Sequence, residues 1–250
     1  MTYCVGLLLN AGMVMLSDTR TNAGLDNIAT YRKMFVFEEP GERVITILTA
    51  GSLSVTQTTM ARLREAIDDK DASGETSIMM APTMLKAAEI IGSTLASVKQ
   101  DIDAKMEASK VSTSASMIVG CQRRGGAMRM FLIYPEGNFI EATEDTPFLQ
   151  IGEHKYGKPI LDRVVTMATS LEDGQKAALL SMDSTLRSNL SVGMPLDMAV
   201  IEEGACRVTM RKRIEKKDPD FARMSEAWSN ALKDGFTHIT IGGMGTITPV

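Results

Sequence analysis

The sequence predicts an α+β fold built as a four-layer αββα sandwich. Two observations point there: strand-like segments arrive as hairpins with short turns, and each of two strand-rich halves is interrupted by a pair of helical segments. Hairpins pair neighbouring strands antiparallel, whereas a doubly wound parallel sheet needs strands that alternate singly with helices. Two such sheets can bury one face against each other and cover the outer faces with helices. A chain of 250 residues that is 44% hydrophobic can fill one substantial core, so residues 1–250 read as a single domain. The longest polar stretch, Asp68 to Thr76, reads as a loop between helices rather than a linker.

The first strands are expected at Tyr3 to Asn10, then after a Gly12 turn at Met13 to Ser17, Met34 to Glu38 and Val44 to Ala50, with Pro40-Gly41 between the last two. Ala50-Gly51-Ser52 breaks the apolar pattern. Ser54 to Asp69 then has helical periodicity, with Val55, Met60, Leu63 and Ile67 facing inward. A longer helix starting near Pro82 carries the stripe Met84, Ala88, Ile91, Leu95, Val98 and Ile102 at spacings of three and four. Strand periodicity resumes at Ala115 to Cys121, Ala127 to Tyr134, Asn138 to Ala142 and Phe148 to Ile151, with turns at Arg124-Gly125-Gly126 and Pro135-Glu136-Gly137. Helices are expected over Tyr156 to Ala168 and Leu171 to Leu190, strands at Leu196 to Glu202 and Cys206 to Arg213, a helix over Pro219 to Leu232, and a last strand near His238 to Ile241.

A net charge of -4 argues against a nucleic-acid partner, because binding a phosphate backbone relies on concentrated Lys and Arg. The one basic cluster, Arg211 to Lys217, is flanked by acidic residues and reads as a solvated turn. Cys4, Cys121 and Cys206 are widely spaced in apolar, strand-like segments and read as reduced core residues. With His154 and His238 the only histidines, no metal centre and no cofactor site is expected. No apolar run approaches the length of a spanning helix, and the N-terminus lacks a signal-peptide pattern, so the expectation is a cytoplasmic protein without membrane partners. Many of the 19 methionines, among them Met79, Met80, Met84 and Met106, fall in or near helices; filling irregular core space is expected of them more than adapting a subunit interface.

Chemistry enters at Met1-Thr2. If Met1 is removed, Thr2 carries a hydroxyl and a free amine on adjacent carbons, a nucleophile with its own base. A threonine hydroxyl is a poor nucleophile near neutral pH, but an α-amine with a pKa of about 7.7 to 8.0 can accept its proton there.

Four motifs in order carry a resemblance: Thr2 behind a single methionine, Ser17-Asp18-Thr19-Arg20, Arg32-Lys33 before Met34-Phe35-Val36, and Thr49-Ala50-Gly51-Ser52 before a helix. Across nearly its whole length the chain resembles the N-terminal nucleophile hydrolases, specifically proteasome β-type subunits and most closely the bacterial ancestral β-subunit family, Anbu. The resemblance implies a fold of that hydrolase type and a threonine-type peptidase. In it Thr2 attacks the scissile carbonyl, Lys33 stabilises the ionised hydroxyl, Asp18 holds the lysine, Arg20 supports them and the Gly51 N–H faces the oxyanion. It implies backbone pairing of an extended peptide or unfolded-protein substrate near Thr21-Asn22 and Gly51, with Thr49 lining the pocket for the residue before the cleaved bond. It also implies a homo-oligomer, a closed ring or open spiral whose sites face an interior; no ATPase-docking feature is recognised.

Two segments depart from the family pattern. Arg187-Ser188-Asn189-Leu190-Ser191-Val192-Gly193 matches a supporting stretch at Ser191 but has Ser188 where an aspartate is usual, and Ile151-Gly152-Glu153-His154 puts Glu153 where a supporting serine would stand. These departures keep two other readings open: an amidohydrolase or amide-transfer enzyme with a restricted substrate, and an inactive structural ring subunit. His154, as a substitute base, is the weaker option because Thr2 brings its own amine.

Overall fold

A computed structural model describes residues 1–22, 28–106 and 113–240. The chain divides into two compact units, residues 1–216 and 217–250. In the first unit, β1 (Tyr3–Leu9), β2 (Gly12–Asp18), β3 (Arg20–Asn22), β4 (Ile28–Thr30), β5 (Met34–Glu39) and β6 (Arg43–Gly51) precede helices α1 (Leu53–Asp68) and α2 (Met84–Met106). Strands β7 (Ala115–Arg123), β8 (Arg129–Ile133), β9 (Phe139–Glu141) and β10 (Phe148–Gly152) follow, then α3 (Lys158–Val164), α4 (Leu171–Ser188), β11 (Leu196–Glu202) and β12 (Met210–Ile214).

Two five-stranded sheets, ordered β10-β1-β2-β11-β12 and β5-β6-β7-β8-β9, are antiparallel throughout their paired strands, and β3 and β4 form a separate hairpin. Successive side chains on a strand point to opposite faces, so each central strand feeds two cores. On β6 and β7, Ile45, Ile47, Met117 and Val119 pack with α1 and α2, while Val44, Leu48 and Ile118 pack with Cys4, Met13 and Met15 from the other sheet. Helix α4 lies on β1 and β2. The result is the αββα sandwich that the sequence predicts.

The inward helix positions fall as the periodicity predicts. Val55, Met60 and Leu63 are buried on α1, the α2 stripe is buried from Met84 to Val98, and Ile67 and Ile102 pack at the edge of the same core. Methionine fills the gap between the sheets: a Cβ at Gly6 would lie 2.6 Å from the Met130 sulfur, and one at Gly120 would lie 3.0 Å from that of Met13. The flexible thioethers occupy space that these glycines leave. Of the methionines expected in or near helices, Met84 is buried on α2 and Met79, in the turn before it, packs on the core, whereas Met80 is 54% exposed.

Some features differ from the expectations. The hairpin β3–β4, which was not expected, is made of three-residue strands too short to carry an apolar alternation. Arg211 to Arg213 lie in edge strand β12, as the strand expected up to Arg213 has it and unlike the turn read for the basic cluster; their exposed charges suit an edge that must not pair further. Cys206 lies in the β11–β12 connection, not in a strand, with φ 47°. There Gly204 N–H donates to Gln122 Oε1 and Val208 N–H to Glu38 Oε2, so side chains take donors that a longer ladder would use. All three cysteines are nonetheless buried and free.

The second unit is described through α5 (Pro219–His238). Asp218 caps it by accepting the N–H groups of Asp220 and Phe221, and Pro219 occupies the first turn, where no donor is missed. The helix continues through His238, so the strand expected near His238 to Ile241 does not begin there; Ile241 lies outside the described residues. Among the described residues no helix is long and apolar enough to cross a membrane.

Candidate functional site

Thr2 stands immediately before β1 and is 7% exposed. Its carbonyl accepts the Glu153 N–H at 2.7 Å, and Gly152, with φ +81°, passes so close that a Cβ would lie 1.9 Å from that oxygen. Only glycine fits there. The backbone at Glu153, rather than its side chain, therefore fixes the head of β1, and the departure from a serine leaves this contact intact.

Asp18 ends β2 and is wholly buried. Its Oδ1 accepts the Lys33 ammonium at 2.7 Å and the Tyr3 N–H at 3.2 Å, and its Oδ2 accepts the Gly193 N–H at 3.2 Å. Burial pushes the carboxyl above the usual carboxylate range, opposed by the Lys33 charge and by the N–H groups of Gly193 and Tyr3. Lys33, 5% exposed just before β5, also donates to the Arg20 carbonyl at 2.6 Å and reaches the Met1 carbonyl at 3.5 Å, the limit of a hydrogen bond. The ammonium is held between β2, β3 and the chain start.

Arg20 donates from Nη1 to the Leu190 carbonyl at 2.7 Å and lies over Gly193, where a Cβ would come within 2.2 Å of Arg20 Nε. Thr19 Oγ1 donates to the Pro195 carbonyl at 2.6 Å. Together they fasten the loop after α4, and Gly193 N–H then reaches Asp18. Ser191 in this loop is half-buried, its N–H donates to Asn189 Oδ1 at 2.9 Å, and it is not among the residues lining the cavity beside Thr2.

That cavity, about 340 Å³, brings together Met1, Thr2, Thr21, Lys33, Thr49 and Gly51. Thr49 is buried, and its hydroxyl donates to the Lys33 carbonyl at 3.4 Å. Gly51 ends β6 at φ +105°, and a Cβ would stand 2.3 Å from the Ser114 carbonyl, so the strand-to-helix junction needs glycine. Asn22 contributes backbone to β3, opposite Ile28; its side chain lies outside the described residues. The cavity is completed by Arg32, Ala50, Leu53 and Thr56, to which sequence reasoning gave no role. Arg32 neighbours Lys33 in a quoted motif, and Leu53 and Thr56 are one helical turn apart directly after Gly51, so adjacency was the available signal.

His154 lines a different cavity, of about 350 Å³, with Lys158 and Asp162, and its Nδ1 is 3.1 Å from the Gly152 carbonyl. It is not placed as a base for Thr2. Among the described residues no group of three or more His, Cys, Asp or Glu could hold a metal ion. With Met1 in place the Thr2 nitrogen is an amide; with Met1 gone, the hydroxyl, an amine and a buried ammonium would meet at one end of a cavity.

No protein-family profile and no curated protein sequence matches the chain. Solved structures do. The chain is similar to Anbu from Hyphomicrobium sp. strain MC1, at 45% identity and TM-score 0.86 over 95% of this chain and 98% of that one. It is similar to Anbu (ancestral beta-subunit) from Yersinia bercovieri, at 40% identity and TM-score 0.90 over 97% and 100%. A structure described as the helical assembly of the Anbu complex from Pseudomonas aeruginosa matches at 42% identity and TM-score 0.89 over 95% and 97%.

Proposed function

The chain belongs to the Anbu, or ancestral β-subunit, family, and from that premise we propose that it is a threonine-type hydrolase cleaving peptide bonds through Thr2 once Met1 is removed. The observation that supports this most is the buried Asp18–Lys33 pair, which holds the lysine at the same cavity as Thr2. Losing Met1 also removes the carbonyl that now takes one of the ammonium's hydrogens, and frees it to face the Thr2 hydroxyl. The new amine accepts the hydroxyl proton, Thr2 Oγ1 adds to the substrate carbonyl, and the Gly51 N–H receives the developing oxyanion. The amine then protonates the leaving nitrogen and activates water to release the acyl group. Ser191 supports the loop that carries Gly193, while Thr21, Asn22 and Thr49 receive the substrate.

The protein works in the cytoplasm as a homo-oligomer, an open spiral or closed ring, in keeping with the helical assembly described for the Pseudomonas aeruginosa relative. Intact mass spectrometry before and after exposure to a peptide epoxyketone or β-lactone tests the chemistry. Expected is a Met1-free chain that gains one inhibitor mass at Thr2, with no gain in Thr2→Ala. A Met1-free chain that never reacts with either electrophile, or full turnover by a chain retaining Met1, would overturn the proposal.

A further inference from the structure

We infer that Arg32 makes the Thr2 cavity selective for an acidic side chain, so that the substrate class is peptide carrying Asp or Glu in the group the cavity receives. This rests on the hydrolase reading for its catalytic consequence, but its binding consequence stands apart from it.

The charges around the cavity do not cancel. Two cations line it, Lys33 and Arg32, and among the described residues no lining residue is a carboxylate. The Lys33 charge is matched by Asp18 at 2.7 Å, and Lys33 is almost wholly buried. Arg32 is exposed, and among the described residues no ion pair joins it to a carboxylate. Among the described residues, one guanidinium without a carboxylate partner therefore borders the cavity.

The neutral polar groups leave the same gap. Thr49 Oγ1 donates to the Lys33 carbonyl and Thr56 Oγ1 donates to the Leu53 carbonyl at 3.1 Å, so both hydroxyl hydrogens are committed. Ala50 and Leu53 add apolar wall. Besides the Thr2 and Thr21 hydroxyls, which also line the cavity, a ligand carboxylate entering here meets the Arg32 fork, a charged donor set that matches carboxylate geometry with two parallel bonds. A lysine or arginine side chain would meet the same uncompensated charge and be repelled. A neutral glutamine side chain has the size of glutamate but gains only a neutral acceptor's bond.

The test compares acetylated tripeptide amides that differ only in a Glu, Gln or Lys residue, with a fluorogenic version of each for turnover. Binding is measured by calorimetry on Met1-free Thr2→Ala protein, and turnover on Met1-free parent protein. The expected result is Glu favoured over Gln by about tenfold in affinity and in kcat/KM, with Lys weakest and the ratio shrinking as salt rises. In Arg32→Gln the Glu to Gln ratio falls to about one, and in Arg32→Glu the order of Glu and Lys inverts. Arg32 is exposed and outside every strand and helix, so both variants are expected to fold; matching thermal melts check it.

Turnover with no Glu preference over Gln would overturn the inference and leave the hydrolase reading standing. Arg32-dependent Glu binding without turnover of any peptide would uphold the inference and count against the hydrolase reading. Binding of none of the three peptides overturns the inference whatever the turnover result.

Discussion

Replacing Asp18 by Asn tests whether the lysine is fixed by a buried counter-charge. Asp18 is 0% exposed and receives three donors: the Lys33 ammonium, the Tyr3 N–H and the Gly193 N–H. Asparagine is nearly the same shape but offers one acceptor oxygen and one NH2. With its oxygen toward Lys33 and Tyr3, the NH2 points at the Gly193 N–H, donor against donor; flipped, it opposes two donors instead of one. A lost acceptor for a buried donor costs about 1 to 3 kcal/mol, and a buried ion pair broken from one side costs about 3 to 5 kcal/mol in all. The expected loss for Asp18→Asn is about 3 to 5 kcal/mol. Urea unfolding followed by circular dichroism at a fixed protein concentration measures it, because assembly would otherwise shift the midpoint. The double variant Asp18→Asn with Lys33→Met should recover about 1 to 3 kcal/mol relative to the sum of the singles. A loss below about 0.5 kcal/mol, or strict additivity in the double variant, would refute the reasoning.

Three further outcomes follow from the same geometry. Gly152→Ala should cost roughly 2 kcal/mol or more and slow labelling of Thr2, because its Cβ would press on the Thr2 carbonyl at 1.9 Å from a φ of +81°; unchanged melting and labelling would count against it. Gly51→Ala should lower kcat about 100-fold or more in a peptide assay by displacing the proposed oxyanion donor, and an unaltered kcat would remove Gly51 from the mechanism. Burial pushes the Tyr3 hydroxyl up to about 12 against the pull of Ser181 and Gln150. Its contribution to stability is thus complete below pH 10 and lost as pH rises to about 12, about 3 kcal/mol for two units. Cys121, also pushed up to about 12, adds to the alkaline slope of the parent. Tyr3→Phe should flatten that slope between pH 10 and 12 in urea titrations, and identical slopes would refute the assignment.

The likeness to Anbu structures also frames the departures at Ser188 and Glu153. Both stand where a supporting side chain is usual, yet the contacts found are backbone ones: Glu153 N–H to the Thr2 carbonyl and Gly193 N–H to Asp18. Backbone donors persist through side-chain change as long as the chain path is kept, and Gly152, Gly193 and the Arg20 clamp keep that path.

The sandwich was legible in the sequence because its signals are local. Hairpin turns such as Pro135-Glu136-Gly137, the α2 stripe from Met84 to Val98, and the glycine break at Gly51 all act within a few residues, and most strands and helices formed near the expected places, while α3, β12 and α5 differ from them by four to six residues at one end. The family motifs placed Thr2, Asp18, Lys33, Thr21, Thr49 and Gly51 in one region, and the fold brings them around one cavity, with Asp18 behind Lys33. What the sequence could not hold is any contact made by backbone across long separations, since every residue has the same N–H and C=O. That Glu153 serves Thr2 through its amide, that Gly193 serves Asp18 across 175 positions, and that Arg32 rather than His154 borders the cavity were decided by the packing of two sheets. Residue types name candidate chemistry; only the closed sandwich determines which of them meet.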